Sequence, residues 1–298
     1  MTGEGVLRPV LSTALEAAGL HPAEVVQVIR RALEEDLALG PDVTTDSTVP
    51  AGARATGDIV PRTTGVLAGV PVAAAVFDLV GGPEVQVELH ADDGTPAQPG
   101  TPVLTVAGPT RALLTAERTA LNLICHLSGI ATLTQRWVDA VAGTGAAIRD
   151  TRKTTPGLRA LEKYAVRCGR GVNHRMALGD AALVKDNHVA AAGGISAAVD
   201  AVRASAPGVP LEVECDTLDQ VQEAIASGVE LVLLDNFSLA DTRSAVELVR
   251  GSGVRLEASG GLSLDRAAEV AETGVDYLAV GALTHSAPVL DLGFDLRG

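Results

Sequence analysis

Six apolar runs, each ending in a polar residue or a glycine, constrain this chain more than any other feature. They read AAIRD, AALVKD, LEVECD, LVLLDN, RLEASGG and YLAVGAL. Most are separated by segments of helical periodicity, such as ISAAVDAVRASA, LDQVQEAIASG and LADTRSAVELVRGSG. The residues that close or follow the runs, Lys153, Lys185, Glu214, Asp235, Ser259 and Gly281, lie 21 to 32 residues apart, about the span of one βα unit. Alternating strands and helices imply a parallel sheet, and ligands of such sheets bind at the C-terminal strand ends. Six strand ends are fewer than the eight of a full barrel. The pattern is therefore that of an incomplete barrel, or of one with strands that the apolar runs do not reveal.

The residues before these repeats read differently. HPAEVVQVIRRALEEDLA (21–38) is an amphipathic helix, and GPDVTTDSTVPAG reads as a loop. Short strands (ARATGDIV, VQVELH, TPVLTV) with one helix, VPVAAAVFDLV, make a compact α+β unit, followed by a long helix over roughly 111–142. The expected division is this α+β domain over 1–115, to which a tail at 289–298 returns, and a barrel over 116–288. Aromatic residues are only 2% and apolar residues 47%, so the core must be aliphatic, as in a parallel sheet covered by helices.

A net charge of -14 opposes nucleic acid and anionic membranes as partners. No charge-free run is a credible span of ~20 apolar residues. The N-terminal MTGEGVLRPVLSTALEAAG has no basic leader, and the three cysteines form no CxxC pair. The expected location is the cytoplasm. Cys168 has no base beside it and reads as structural.

Against this acidic background, Arg149 to Arg175 carries eight Lys or Arg and two acids. All three lysines of the chain, Lys153, Lys163 and Lys185, fall in or just after it. Arg159, Lys163, Arg167 and Arg170 are spaced to share one exposed helix face. Arg152 and Lys153 instead follow an apolar run, with His174 and Arg175 further on, and guanidinium groups clamp carboxylates and phosphates in pairs. Lys185, closing AALVKD, points to the barrel mouth, either paired with Asp186 or Glu214 or as a ligand cation. Glu214 and Asp235 end neighbouring strands. They suit Mg²⁺ or sugar hydroxyls, and equally well would serve as partners for Arg152 and Lys185. Ser259, Gly260 and Gly261 in ASGG, with Gly281 in VGAL, form late-strand turns that let backbone N–H groups approach a phosphate, and His285 follows nearby. Arg118, Asn122 and His126 share a helix face, read as its wet side. NFS at 236–238 matches a glycosylation sequon but follows a core strand, and DDGTP at 92–96 lacks the rest of a diphosphate loop.

Together RDTRKTTPGLRALEKYAVRCGRGVNHRMALGDAALVKDNH, EVECDTLDQ, LLDNFS, EASGGL and VDYLAVGALTHSAPVLDLGFDL resemble the quinolinate phosphoribosyltransferase family, from EEDLALGPDVTTD to the C-terminus. Arg170 stands where the family pattern has glycine, which should alter a surface turn. The resemblance implies an N-terminal open-faced α/β sandwich and an incomplete α/β barrel of six to seven strands. It implies a homodimer or larger assembly with a shared active site, and Mg²⁺-dependent transfer of phosphoribosyl from phosphoribosyl pyrophosphate to quinolinate with decarboxylation. By position, Arg152, His174, Arg175 and Lys185, with Arg118 of the neighbouring subunit, would bind quinolinate. Lys153 would sit at the reaction centre. Glu214 and Asp235 would contact the ribose and the metal. Ser259, Gly260, Gly261, Gly281 and His285 would hold phosphate. Three other readings remain: a Schiff-base aldolase using Lys185, a non-catalytic binder of anionic metabolites, and a relative acting on another aromatic acid.

Overall fold

The computed structural model describes residues 7–297. The first six residues, where the stretch read as lacking a leader begins, and Gly298 lie outside it. In chain order the first half comprises α1 (Pro9–Ala17), α2 (Pro22–Asp36), α3 (Val43–Thr48), β1 (Arg54–Pro61), β2 (Gly65–Val66), α4 (Val70–Gly81), β3 (Gln86–Leu89), β4 (Pro96–Ala97), β5 (Leu104–Pro109) and α5 (Thr110–Ala140). Next come β6 (Ala147–Arg149), α6 (Arg159–Cys168), β7 (Ala182–Val184), α7 (Asp186–Ala192), α8 (Ile195–Ser205), β8 (Leu211–Cys215) and α9 (Leu218–Ala226). The chain ends with β9 (Leu231–Asp235), α10 (Leu239–Val249), β10 (Arg255–Ser259), α11 (Ala267–Ala271), β11 (Tyr277–Ala279), α12 (Ala282–His285) and β12 (Leu292–Arg297).

Two compact units emerge. One takes the chain up to Leu133, Thr155–Arg170 and everything from Thr284 onward; the other takes Thr134–Thr154 and Gly171–Leu283. The boundary expected at 115/116 falls inside α5, and α6 groups with the first unit. That unit holds an antiparallel sheet in the order β12-β1-β5-β3, with β2 and β4 paired apart from it. The C-terminal tail is its edge strand, antiparallel to β1. Helix α4, apolar over most of its surface, is buried from Val70 to Asp78. Phe77 on it meets Phe294 of β12 at 5.5 Å between ring centroids. Gly57 on β1 makes room for that ring: a Cβ there would lie 2.1 Å from Phe294.

Two expectations need correction here. The loop read at 40–52 contains α3, because the Asp42 carboxylate accepts from Thr45 N–H at 3.0 Å and caps it. The basic face of α6 is not a solvated stripe. Lys163 is fully buried, in a helix that buries every residue from Leu161 to Val166, while Arg167 and Arg170 are exposed. His126 likewise leaves the wet face of α5: its Nε2 reaches the buried Glu162 at 2.9 Å, whereas Arg118 and Asn122 are exposed. Glu162 also accepts from Thr155 N–H at 3.0 Å, which anchors the start of α6. The DDGTP segment is a helix cap. Asp93 accepts from Gly69 and Val70 N–H at the start of α4 and from Tyr164 Oη at 2.6 Å. Beside it burial pushes the Cys168 thiol up to about 12, consistent with a structural cysteine.

The second unit is the parallel sheet, in the order β6-β11-β10-β9-β8-β7. All six apolar runs are its strands. Val172 adds a single parallel bridge on the outer edge of β6. Among the described residues no ladder joins β6 to β7, so the barrel is left open at that seam. At the C-terminal edge, Asp235 of β9 lies in register with Ser259 of β10.

Candidate active site

Side chains alternate along a strand, so residues two apart share a face. The inward face of this sheet therefore carries two tiers. At the strand ends stand Lys185, Glu214, Asp235 and Ser259; beneath them lie Leu183, Leu233, Glu257 and Ala279. With Thr151, Arg152, Lys153, His174 and Arg175 they line one cavity of about 440 Å³. Eight of the residues expected at the site from the sequence thus meet in one place.

The cations are crowded. Burial, and then the neighbouring Arg152, hold the Arg175 guanidinium below its usual range. Arg175 donates one N–H to Ala181 O at 3.0 Å. The Nε of Arg152 is buried and has no acceptor. A buried guanidinium N–H without a partner costs free energy that an incoming anion would recover. Lys185 pairs with Glu214. An ion-paired ammonium is a ligand for anions rather than the free amine that a Schiff base requires.

His174 differs from the expectation of a carboxylate-binding ring. It lines the cavity, but its Nδ1 accepts from Arg175 N–H at 2.7 Å and its Nε2 lies 2.9 Å from Glu212. Because Nδ1 is an acceptor, the ring proton sits on Nε2 and is donated to Glu212. Its backbone N–H donates to the buried Asp150 at 2.8 Å. His174 is held from three sides by the protein.

The lower tier is charged. Glu257 and Glu212 are buried, and each has one carboxylate oxygen without a partner. Arg149, its guanidinium 4.9 Å from the Tyr277 ring centre, donates to Glu257 at 2.6 Å. Burial, and then the facing Glu212, push the Glu257 carboxyl up to about 7. His174, Glu212 and Glu257 place three donor atoms within 4.8 Å of one another. A metal there would need the Nε2 lone pair, which the proton occupies, so the trio is a hydrogen-bond cluster. None of Arg149, Asp150, Glu212 or Glu257 was singled out from the sequence. The signal was available in LEVEC and RLEAS, where a second glutamate or a glutamate two residues before Ser259 must share the inward face.

The upper acids are different. Glu214 gives one oxygen to Lys185, and Asp235 Oδ2 accepts from Asn236 Nδ2 at 2.8 Å. Both carboxylates line the cavity. That suits Mg²⁺, which takes one or two carboxylates and fills its shell with water and phosphate. Gly260 and Gly261 line an adjoining cavity of about 310 Å³ that shares Ser259. Both adopt left-handed backbone, with φ of 86° and 58°. Gly281, Arg118 and His285 line neither cavity. Gly281 precedes α12, Arg118 is exposed on α5, and His285 is exposed with Nδ1 2.7 Å from Ser286 Oγ.

A parallel α/β sheet that gathers paired guanidinium groups, two acids and a left-handed glycine turn at its C-terminal edge defines an enzyme site for anionic, phosphorylated substrates. Family models for the N-terminal and C-terminal domains of quinolinate phosphoribosyl transferase match residues 42–128 and 130–295. The nicotinate-nucleotide pyrophosphorylase (carboxylating) of Mycobacterium leprae is 60% identical over 271 residues, covering 90% of this chain and 95% of that one. A probable enzyme of the same name from Bacillus subtilis is 42% identical over 240 residues, covering 80% and 82%. The solved nicotinate-nucleotide pyrophosphorylase of Francisella tularensis superposes with a TM-score of 0.88 at 37% identity, covering 92% and 96%. The chain belongs to the quinolinate phosphoribosyltransferase family.

The turn at Arg170 bears on the one departure from the family pattern. Arg170 is exposed and has φ of 66°, the left-handed conformation that glycine adopts without strain. It lies outside both cavities. Among the described residues no helix is long and apolar enough to cross a membrane.

Proposed function

We propose that this chain transfers phosphoribosyl from phosphoribosyl pyrophosphate to quinolinate and decarboxylates the adduct, releasing nicotinate mononucleotide, pyrophosphate and CO₂. The observation that carries the reading is the buried, acceptorless Nε of Arg152 beside the desolvated Arg175. Two like charges forced together in a cavity need a ligand with two negative groups at close spacing, and quinolinate's adjacent carboxylates supply them. A non-catalytic anion binder would leave the two strand-end acids without a role.

Arg152 and Arg175 orient the dicarboxylate, and Lys185 adds a third cation. His174 acts as a neutral post that fixes the Arg175 backbone. Ser259, Gly260 and Gly261 receive the 5-phosphate on backbone N–H groups, with Gly281 and His285 completing that end. Mg²⁺ bound at Glu214 and Asp235 would neutralise the pyrophosphate leaving group. The pyridine nitrogen forms its bond to the ribose C1 as the C1–oxygen bond to pyrophosphate breaks. Glu214 and Asp235 oppose the positive charge that develops on the sugar. As the adjacent carboxylate departs as CO₂, the electron pair of the broken bond stays on the ring carbon as an ylide, which the quaternised nitrogen beside it stabilises. A proton returns to that carbon from Lys153, which lines the cavity, or from a water. Arg118 would reach the site of a partner subunit in a homodimer, and the enzyme would work in the cytoplasm.

The test is incubation with quinolinate, phosphoribosyl pyrophosphate and Mg²⁺, with nicotinate as the parallel substrate. Turnover of quinolinate alone is expected, and Arg152→Ala should raise the quinolinate KM at least about tenfold. Equal use of nicotinate would refute the role of the cation pair. Borohydride trapping of a carbonyl substrate on Lys185 would favour the aldolase instead.

A further inference from the structure

Asn236 follows β9 inside the sequon NFS, and the proposed chemistry gives it no task. Apart from Arg170 it is the only non-glycine residue with positive φ among the described residues, at 56°. Such backbone strain is kept where surrounding structure demands it, and it clusters at functional sites. Three contacts make the demand. Asn236 Nδ2 donates to Asp235 Oδ2 at 2.8 Å. Its backbone N–H donates to Ser259 O at 2.9 Å. Its side-chain Oδ1 packs so close to Gly260 that a Cβ there would lie 2.2 Å away.

From this geometry we propose that Asn236 is a positioning residue, which registers the Asp235 carboxylate against the Ser259–Gly261 turn. The proposal rests on the reading of that acid and turn as the phosphoribosyl pyrophosphate half of the site. The residue type follows from the three contacts. Glycine would relieve the backbone but carries no donor. Aspartate tolerates the conformation but sets a second carboxylate against Asp235. Asparagine combines left-handed backbone with a neutral donor, and Gly260 must lack a Cβ to receive it. Both substrate-facing groups are thus held in one relation before the ligand arrives, so less ordering is left to binding.

The experiment compares wild type with Asn236→Gly and Asn236→Asp. Phosphoribosyl pyrophosphate with Mg²⁺ is titrated calorimetrically onto protein saturated with phthalate, which has both carboxylates but no nucleophilic ring nitrogen. Quinolinate is titrated separately, and steady-state KM is measured for each substrate. Both variants should bind phosphoribosyl pyrophosphate at least about tenfold more weakly and raise its KM to match, while quinolinate affinity stays within about twofold. Asn236→Gly should be no less stable in urea, which separates the effect from unfolding. Wild-type affinity in Asn236→Gly, or equal weakening of both ligands, would overturn the proposal alone. Wild-type protein that binds no phosphoribosyl pyrophosphate would overturn the functional reading and this proposal with it.

Discussion

Replacing Glu257 by glutamine should flatten the acid-to-neutral dependence of stability. The wild-type carboxyl is fully buried between Arg149 and Glu212, and burial with the Glu212 charge lifts it from 4.5 to about 7. The native state therefore holds a proton that the unfolded chain releases. A raised carboxyl adds stability that is complete below the unfolded value and is lost as pH climbs through the folded one. Between about pH 4.5 and 7 the loss amounts to on the order of 3 kcal/mol for this group, from about 1.4 kcal/mol per unit. Above about 7 the Glu257 carboxyl is ionised in both states and the loss levels off. Glu257→Gln removes the titration while keeping shape, and its amide can donate to the orphaned oxygen of Glu212. The variant's absolute stability will also shift, because Arg149 loses its ion pair. The readout is therefore the slope. Urea unfolding followed through Trp137 fluorescence at several pH values between 5 and 8 measures it in both proteins. Parallel slopes would show that Glu257 is ionised throughout and would refute the raised carboxyl in the lower tier.

Two further outcomes follow from placement. Arg118→Ala and Arg152→Ala proteins, each strongly impaired alone at quinolinate well below the raised KM, should regain about a quarter of wild-type activity when mixed and allowed to exchange subunits, since hybrid dimers restore one site in two; no recovery on proven exchange would sink the trans contribution of Arg118. Arg170→Gly should stabilise the fold by up to ~1 kcal/mol in urea unfolding by releasing left-handed backbone, offset in part by the glycine's unfolded-state entropy, with kinetics unchanged; a loss of stability would mean that the arginine side chain contributes more than the turn costs.

What could be read from the sequence was whatever depends on local periodicity. The six strands, the long α5 and the strand-end residues follow from alternation and βα spacing, which need no knowledge of distant neighbours. The failures share a cause in tertiary contact. Lys163 sits at helical spacing with three arginines, and nothing in that spacing reveals that Lys163 is buried while Arg167 and Arg170 stay exposed. α3 was hidden because one cap, Asp42, outweighs a run of threonines with weak helix propensity. For His174, which the resemblance makes a quinolinate ligand, the spacing does not show that it donates to Asp150 and Glu212 and accepts from Arg175 N–H.

The concentration of cations at the sheet edge has a two-tier account. A cation cluster alone, at the mouth of a low-dielectric cavity, would repel itself and destabilise the unliganded fold. Here Lys185 is paired with Glu214, Arg175 lies within the field of Glu212, and Glu257 in the lower tier is paired with Arg149. Two of those carboxylates are buried where no substrate cation reaches them, and one carries a proton near neutrality. Among the described residues that line the cavity, the Nε of Arg152 is a buried nitrogen without a hydrogen-bond acceptor. Selectivity for a dianion follows from that arrangement: a monocarboxylate could satisfy Arg152 or Arg175 but would leave the other guanidinium desolvated and unpaired, a cost of about 1–3 kcal/mol that separates two substrates differing by a single carboxyl group.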